Sequence, residues 1–347
     1  MSSSIFDPLT EEQLRMYAAE KEENFRWISK IVATYSPYTL TDVDLISSEL
    51  YQELAEIGQF AEIAYTTLPI QFLIDNHTPL SQPDFPLENY TALINTVPVE
   101  SLRGNVADLP AYIAHRPSTS QLIVAIAGTS SIKHVLQDLR FFKVSHPSGK
   151  GFVHSGFWAM YQGLKDQLLP AVEKAITDHS PTEVVLTGHS MGGSIAYLLC
   201  MDLLLSTDLN LKIAVFGAPR TGDAALVDYY RDLVASFRKT HSFKDYSVKG
   251  WNDGVPALPP ARMGFRHFCT EPIYTVGGRL YKTPPTESEH ALFRVQASEK
   301  VSLFPKGGHN YYNGRDLERF TRRISWLASS RPFDDGWEER YRKECQK

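Results

Sequence analysis

Seven residues constrain this chain more than any others: Thr187-Gly188-His189-Ser190-Met191-Gly192-Gly193. They follow the apolar run Val184-Val185-Leu186 and lead straight into an apolar helical pattern over about 192–205. A strand that reverses into a helix within so few residues leaves no room for side chains two positions either side of the apex. Gly188 and Gly192 supply that room, while Gly193, Ser194 and Ala196 let the helix approach the sheet closely. The apex residue, Ser190, is then forced into strained dihedrals with its hydroxyl presented at the strand end. A glycine-rich turn carrying an incidental serine is the bland alternative, and strand, motif and helix in that order weigh against it. The start of the helix also brings free N–H groups and a positive dipole end beside Ser190, with the Met191 N–H the first candidate donor to an oxyanion.

A serine hydroxyl attacks poorly unless a base removes its proton, so the pattern calls for a histidine held by a carboxylate. In strand–turn–helix sites of this kind the partners follow in the order serine, acid, histidine. The histidines beyond Ser190 are His241, His267, His290 and His309, and Asp223 and Asp253 are the acids that end plausible strands. Asp253 sits in a turn signal, Trp251-Asn252-Asp253-Gly254-Val255-Pro256, after the extended stretch 243–248. His309 sits in a flexible Gly307-Gly308-His309-Asn310 loop. Spacing favours this pair only modestly and leaves His290, in a polar Ser-Glu-His stretch, as a competitor. An aspartate that merely caps a turn is the structural alternative for Asp253.

The rest of the chain supplies the frame for such a site. From about residue 109 short continuous apolar runs (112–114, 122–127, 184–186, 213–216) alternate with helical patterns, which is the signature of a parallel sheet covered on both faces. Before that, Thr10 and Gln13 fit a capping box, and apolar positions at helical spacing predict a helix running to Ser36-Pro37. A second helix is predicted over 45–64, followed by an irregular, proline-rich surface excursion between Pro69 and Pro98. Three divisions result: a helical N-terminal extension over 1–45, one catalytic domain over 46–330, and a charged C-terminal tail over 331–347.

Composition excludes more than it identifies. With 43% hydrophobic and 22% charged residues over 347 positions the chain can bury a large core. Its formal charge of −5 offers no basic field for nucleic acid. Arg319, Arg322 and Arg323 are close in sequence but fall on the polar side of a helical pattern and read as a solvated face. No apolar run reaches the roughly 18 residues of a membrane helix, and the polar first 24 residues lack the apolar stretch of a secretory signal. The three cysteines, Cys200, Cys269 and Cys345, form neither a metal pattern nor a disulfide framework, so a reducing compartment is the simpler expectation.

Five segments in order give the chain a resemblance to the fungal-type, or class 3, lipases over roughly residues 50–315. Residues 51–65 look like that family's opening helix. Ala127-Gly128-Thr129-Ser130-Ser131-Ile132 is similar to its R-G-[ST]-x-S-I segment, although Ala127 replaces the usual arginine. Val153-His154-Ser155-Gly156-Phe157 matches V-H-x-G-F, and Phe216-Gly217-Ala218-Pro219-Arg220 matches F-G-x-P-R. Asp253-Gly254-Val255-Pro256 with Leu258-Pro259-Pro260 matches D-x-V-P-x-L-P-P. The resemblance implies an α/β-hydrolase fold, a mainly parallel central sheet with helices on both faces, here with the N-terminal helical extension.

The resemblance also implies a site. Asp253 takes the place of the catalytic acid, and His309, followed by Asn310-Tyr311-Tyr312, that of the histidine in H-x-x-Y; His267 aligns with a structural strand position. Thr129 takes the second oxyanion position beside Met191. The stretch 131–142 takes the place of a lid, with Ile132, Val135, Leu136 and Leu139 on one helical face and Lys133, His134, Gln137 and Arg140 on the other. An ordinary amphipathic packing helix is the alternative for that stretch, and Val135 stands where many members carry tryptophan. The implied activity is hydrolysis of carboxylic esters, acylglycerols first. Phospholipids, aromatic esters and short soluble esters are alternatives on the same fold, and an idle scaffold or binding protein is the alternative of a different class. No metal or organic cofactor is called for, and the expected partners are the ester or lipid substrate and a transient lipid interface at the lid.

Overall fold

The computed structural model of the chain describes residues 25–128, 142–301, 307–312 and 314–346. The apolar runs form strands because their side chains are buried on both faces at once. In chain order these are β1 (Tyr35–Thr41), β2 (Val97–Arg103), β3 (Pro110–Arg116), β4 (Gln121–Ile126), β5 (Lys143–Ser145), β6 (Phe152–His154) and β7 (Glu183–His189). They continue with β8 (Asn210–Phe216), β9 (Gly222–Asp223), β10 (Phe243–Gly250), β11 (Phe265–Arg266), β12 (Glu271–Val276), β13 (Arg279–Lys282) and β14 (Leu292–Gln296). Eight of them make the central sheet, in the order β13-β12-β10-β8-β7-β4-β3-β2. The inner strands β12, β10, β8, β7 and β4 run parallel, and the pairings of β13, β3 and β2 are antiparallel. This is the mainly parallel sheet that the alternating pattern predicts.

Successive residues of the inner strands feed two separate cores. Ile113, Leu122, Val124, Val184, Leu186, Ile213 and Val215 join the helices Ser155–His179, Met191–Ser206 and Ala224–Phe237 through Leu164, Leu168, Ile195, Leu199 and Tyr230. Tyr112, Ile123, Ala125, Val185, Ala214 and Phe216 point the other way, onto the helices Ser48–Ile63 and Leu317–Ser329 through Leu54, Phe60, Phe320 and Ile324. Each large side chain so buried contributes about 1.5–3 kcal/mol. The helix Met191–Ser206 is buried nearly all round, as its uniform apolarity demands.

Four expectations change on contact with the structure. The N-terminal helical pattern, where described, is helix only over Arg26–Val32; by Tyr35 the chain is already in β1, paired in parallel with β14. Aromatic and β-branched residues favour that strand, and Pro37 is tolerated because the pair has no third strand. The excursion 69–98 is not merely a surface loop. It contains the helices Ile70–Asp75 and His77–Leu80 and buries Leu73, Leu80, Phe85 and Leu87 completely.

Arg323, read from sequence as solvated, is only 3% exposed and donates to the Phe85 carbonyl (2.9 Å) and to Glu88 (2.8 Å). A long side chain at the edge of a polar face reaches over its neighbours, and helical spacing does not report that. The charged C-terminal stretch contains the helix Trp337–Cys345, whose Tyr341 ring stacks on Phe85 at 4.6 Å.

Candidate active site

The reversal after β7 has the geometry the glycines predict. Ser190 has φ 59° and ψ −135°, a left-handed backbone that costs a non-glycine residue of order 1–3 kcal/mol. Its N–H donates to the Phe216 carbonyl at 2.8 Å, which ties the turn to β8. A Cβ on Gly188 would lie 2.5 Å from the Gly192 carbonyl carbon, and one on Gly192 would lie 2.2 Å from the Ile126 carbonyl oxygen. No side chain fits at either place. Met191 is the first residue of the helix, so its N–H lies among the donors that intrahelical carbonyls do not reach.

Asp253 follows β10 across a tight turn in which its N–H bonds the Gly250 carbonyl at 3.1 Å. Its carboxylate is fully buried and collects three donors. Val255 N donates to Oδ1 at 2.8 Å, the Tyr312 hydroxyl donates to Oδ2 at 2.5 Å, and His309 Nδ1 lies 3.0 Å from Oδ2. Oδ2 of Asp253 is the acceptor that faces His309 Nδ1, so Nδ1 carries the proton and Nε2 is the free lone pair. His309 is itself fully buried, and its Nε2 meets no hydrogen-bond partner among the described residues. Gly308 N donates to the Trp251 carbonyl at 2.9 Å, which joins the histidine loop to the turn that carries the acid.

The sequence-derived competitors lie elsewhere. His290 Nδ1 is 3.1 Å from Glu287, and His267 Nε2 bonds the Pro256 carbonyl at 2.9 Å. His241 lies beside Thr240, and Asp223 caps the helix Ala224–Phe237. Ser190, 3% exposed, thus shares its end of the sheet with Asp253, His309 and Met191. Thr129 and the stretch that carries Ile132, Val135, Leu136 and Leu139 lie outside the described residues. Gly128, next to Thr129, is described: a Cβ there would meet Ser190 Cβ at 3.0 Å. Ala127, the departure from the arginine pattern, is buried, and its N–H bonds the Pro110 carbonyl at 2.9 Å.

Comparison with known proteins fits this arrangement. The family described as "Lipase (class 3)" matches residues 123–263, which run from β4 past the elbow and Asp253. A lipase of Rhizomucor miehei is 33% identical over 168 residues, 47% of this chain and 44% of that protein. The secreted mono- and diacylglycerol lipase A of Penicillium cyclopium is 26% identical over 236 residues, 68% of this chain and 73% of that one. Over residues 123–263 the chain is similar to the class 3 lipases. It spans less than half the length of the Rhizomucor relative. The α/β-hydrolase fold is shared with solved lipases: the R. miehei triacylglyceride lipase superposes with TM-score 0.61 at 23% identity, covering 80% of this chain and 99% of that one. The native propeptide complex of the R. miehei lipase gives 0.61 at 22% identity over 83% and 92%.

Three features of the site were not found from sequence. Tyr312 was noted only as the tyrosine of H-x-x-Y, and its hydroxyl braces Asp253 while accepting the Gly250 N–H at 3.0 Å. His189 and Tyr65 form a buried pair, with His189 Nδ1 2.8 Å from the Tyr65 hydroxyl and Nε2 2.7 Å from the His309 carbonyl. The helix Arg26–Val32 lies across the loops of both Asp253 and His309. Phe25 meets the His309 ring edge-on at 5.5 Å, Arg26 Nε donates to the Gly307 carbonyl at 3.0 Å, and Ser29 Oγ is 2.7 Å from Asn252 Oδ1. Nothing local in the sequence marks these contacts, because their partners lie far apart along the chain.

Proposed function

We propose that the chain is a serine ester hydrolase acting on acylglycerol-type esters, with Ser190 as nucleophile, His309 as base and acid, and Asp253 as its carboxylate partner. The observation that carries this reading is the His309 ring. It is buried, its Nδ1–H is held by an acid with two further donors, and its Nε2 lone pair has no partner among the described residues. The ring packs 4.4 Å from that of His189, the residue before the elbow serine. Such an imidazole is built to take a proton.

As Ser190 Oγ attacks the acyl carbonyl, its proton passes to His309 Nε2 and the carbonyl becomes an oxyanion held by the N–H groups of Met191 and Thr129. His309 then gives that proton to the alkoxide leaving group, and an acyl-enzyme and an alcohol result. Water repeats the cycle: it loses a proton to His309 and attacks the acyl carbon. Ser190 leaves with the returned proton, and a carboxylic acid is released. Asp253 stays ionised and stabilises the imidazolium between the two transfers.

Acylglycerols are favoured because the relatives named above are lipases, one of mono- and diacylglycerols. In sequence, the helical spacing of the apolar residues Ile132, Val135, Leu136 and Leu139 suits a lid that turns toward a lipid surface. A soluble short-chain ester is the second reading, favoured by Val135 at the place where many members carry tryptophan. Ser190→Ala should abolish both ester turnover and labelling by a fluorophosphonate; turnover equal to wild type ends the proposal. A rate jump where a long-chain ester passes its solubility limit assigns the acylglycerol reading, and flat behaviour with short-chain preference assigns the second.

A further inference from the structure

We propose that His189 is a positioning residue, whose imidazole, fixed in one tautomer, holds the backbone carbonyl of His309 while its other nitrogen takes the Tyr65 hydroxyl. The inference rests on the reading of His309 as the base of an ester hydrolase and asks what keeps that base in register with Ser190.

The shorter contacts place the protons: the Tyr65 hydroxyl is 2.8 Å from His189 Nδ1 and 3.4 Å from the His189 carbonyl. The His309 carbonyl only accepts, so His189 Nε2, 2.7 Å away, carries a hydrogen. Burial of His189, with the His309 ring against it, holds its pKa well below the usual histidine range, so the ring is neutral. Its Nδ1 is therefore a lone pair and accepts the Tyr65 hydroxyl proton at 2.8 Å. The Tyr65 hydroxyl also lies against Gly128, where an added Cβ would come within 2.1 Å of it. The hydrogen bonds run in one direction, Tyr65 O–H to His189 Nδ1 and His189 Nε2–H to the His309 carbonyl, with Gly128 beside the tyrosine hydroxyl. Three segments far apart in sequence, beside Thr129, at the elbow and at the base, meet at one histidine and one tyrosine.

Neutrality also matters to the chemistry. During turnover a positive charge forms on His309, whose ring centroid is 4.4 Å from that of His189. A second charge there would oppose it directly. The other groups around His189 keep it neutral. Tyr312 packs at 5.6 Å with its hydroxyl committed to Asp253. Glu62, across a cavity of about 10 Å³, is taken by Arg315 at 3.0 Å and by the Tyr90 hydroxyl at 2.6 Å.

The tautomer is tested on the whole wild-type protein by nitrogen NMR after histidine labelling. His189 should keep the Nε2–H form across about pH 5 to 8, where an unperturbed imidazole titrates; an Nδ1–H form, or titration in that range, overturns the proposal. Tyr65→Phe should leave the Nε2–H form in place, because the His309 carbonyl still selects it. In kinetics, His189→Ala should lower kcat about 10–100-fold, the cost of a misplaced catalytic group, with KM moved by less than about twofold. His189→Gln, which retains a distal N–H donor and an acceptor for Tyr65, should recover most of that loss. A folded His189→Ala with wild-type kcat overturns the proposal, as does failure of Gln to rescue. If the alanine variant does not fold, the wild-type tautomer and the glutamine variant still decide. A wild type that neither turns over esters nor labels at Ser190 fails the hydrolase reading instead, whatever the tautomer.

Discussion

Lys249 shows what burial does to a single charge in this molecule. It lies on β10, 2% exposed, with Nζ donating to the carbonyls of Ser288 and His290. Burial pushes its pKa down to about 7, against partial support from Glu289. Above that pH the unfolded chain keeps a proton that the folded chain has given up, so this group makes stability rise with pH from about 7 toward the ordinary lysine value, by at most about 1.4 kcal/mol per unit. Lys249→Met should flatten that rise between about pH 7.5 and 9 in urea unfolding; identical slopes in the two proteins would remove Lys249 as its source. Residues of this kind were not legible beforehand. Ser190 could be read because a tight reversal needs glycines at fixed offsets, and those offsets are local. The Tyr65–His189 bond joins positions 124 apart, and the side chain that braces Asp253 comes from 59 positions downstream. No spacing rule covers such distances.

At the scale of elements, the sheet and its helices follow from patterns of two and three to four residues, and these were readable wherever the pattern was continuous. The N-terminal helix is the exception, because its function depends on what it lies against. Ile28 and Phe25 pack with Val255 and Leu258, and the backbone of the helix sits directly on Gly254. A Cβ added at Gly254 would meet Ile28 Cβ at 2.5 Å and Ser29 N at 2.6 Å. The backbone there is ordinary right-handed, φ −85°, so alanine would be acceptable but for the helix. Gly254→Ala is therefore expected to lift Arg26–Val32 off the acid loop. Limited trypsin digestion should then cut after Arg26 or Lys30 several times faster than in wild type, while the melting of the remaining domain shifts by less than about 1.5 °C, the equivalent of roughly 1 kcal/mol or less at this chain length. Unchanged cleavage would mean that the seat adapts to a methyl group.

Over the whole molecule, segments at opposite ends of the sequence complete one another. The excursion around Phe85 is closed by Arg323, bonded to Asp84 at 3.1 Å as well as to Phe85 and Glu88, and by Tyr341, which stacks on Phe85 and donates to the Asp84 carbonyl at 2.8 Å. Trp337 meets the same phenylalanine edge-on. Tyr341→Ala should cost about 3–5 kcal/mol, the range for emptying a buried aromatic site, measured by urea unfolding; a loss under 1 kcal/mol would show the helix to be ornamental. Sequence reading separated these pieces into a loop, a solvated face and a charged tail, because each is polar or irregular when taken alone.

The same closure sets an order of events during synthesis. Tyr341 bonds a carbonyl 257 positions earlier, so Phe85 leaves the ribosome long before the ring that covers it has been made. At about 5–20 residues per second that delay is roughly 13–50 s. For that time a large aromatic side chain and its neighbours lack their cover, and a holding chaperone has a natural place to bind.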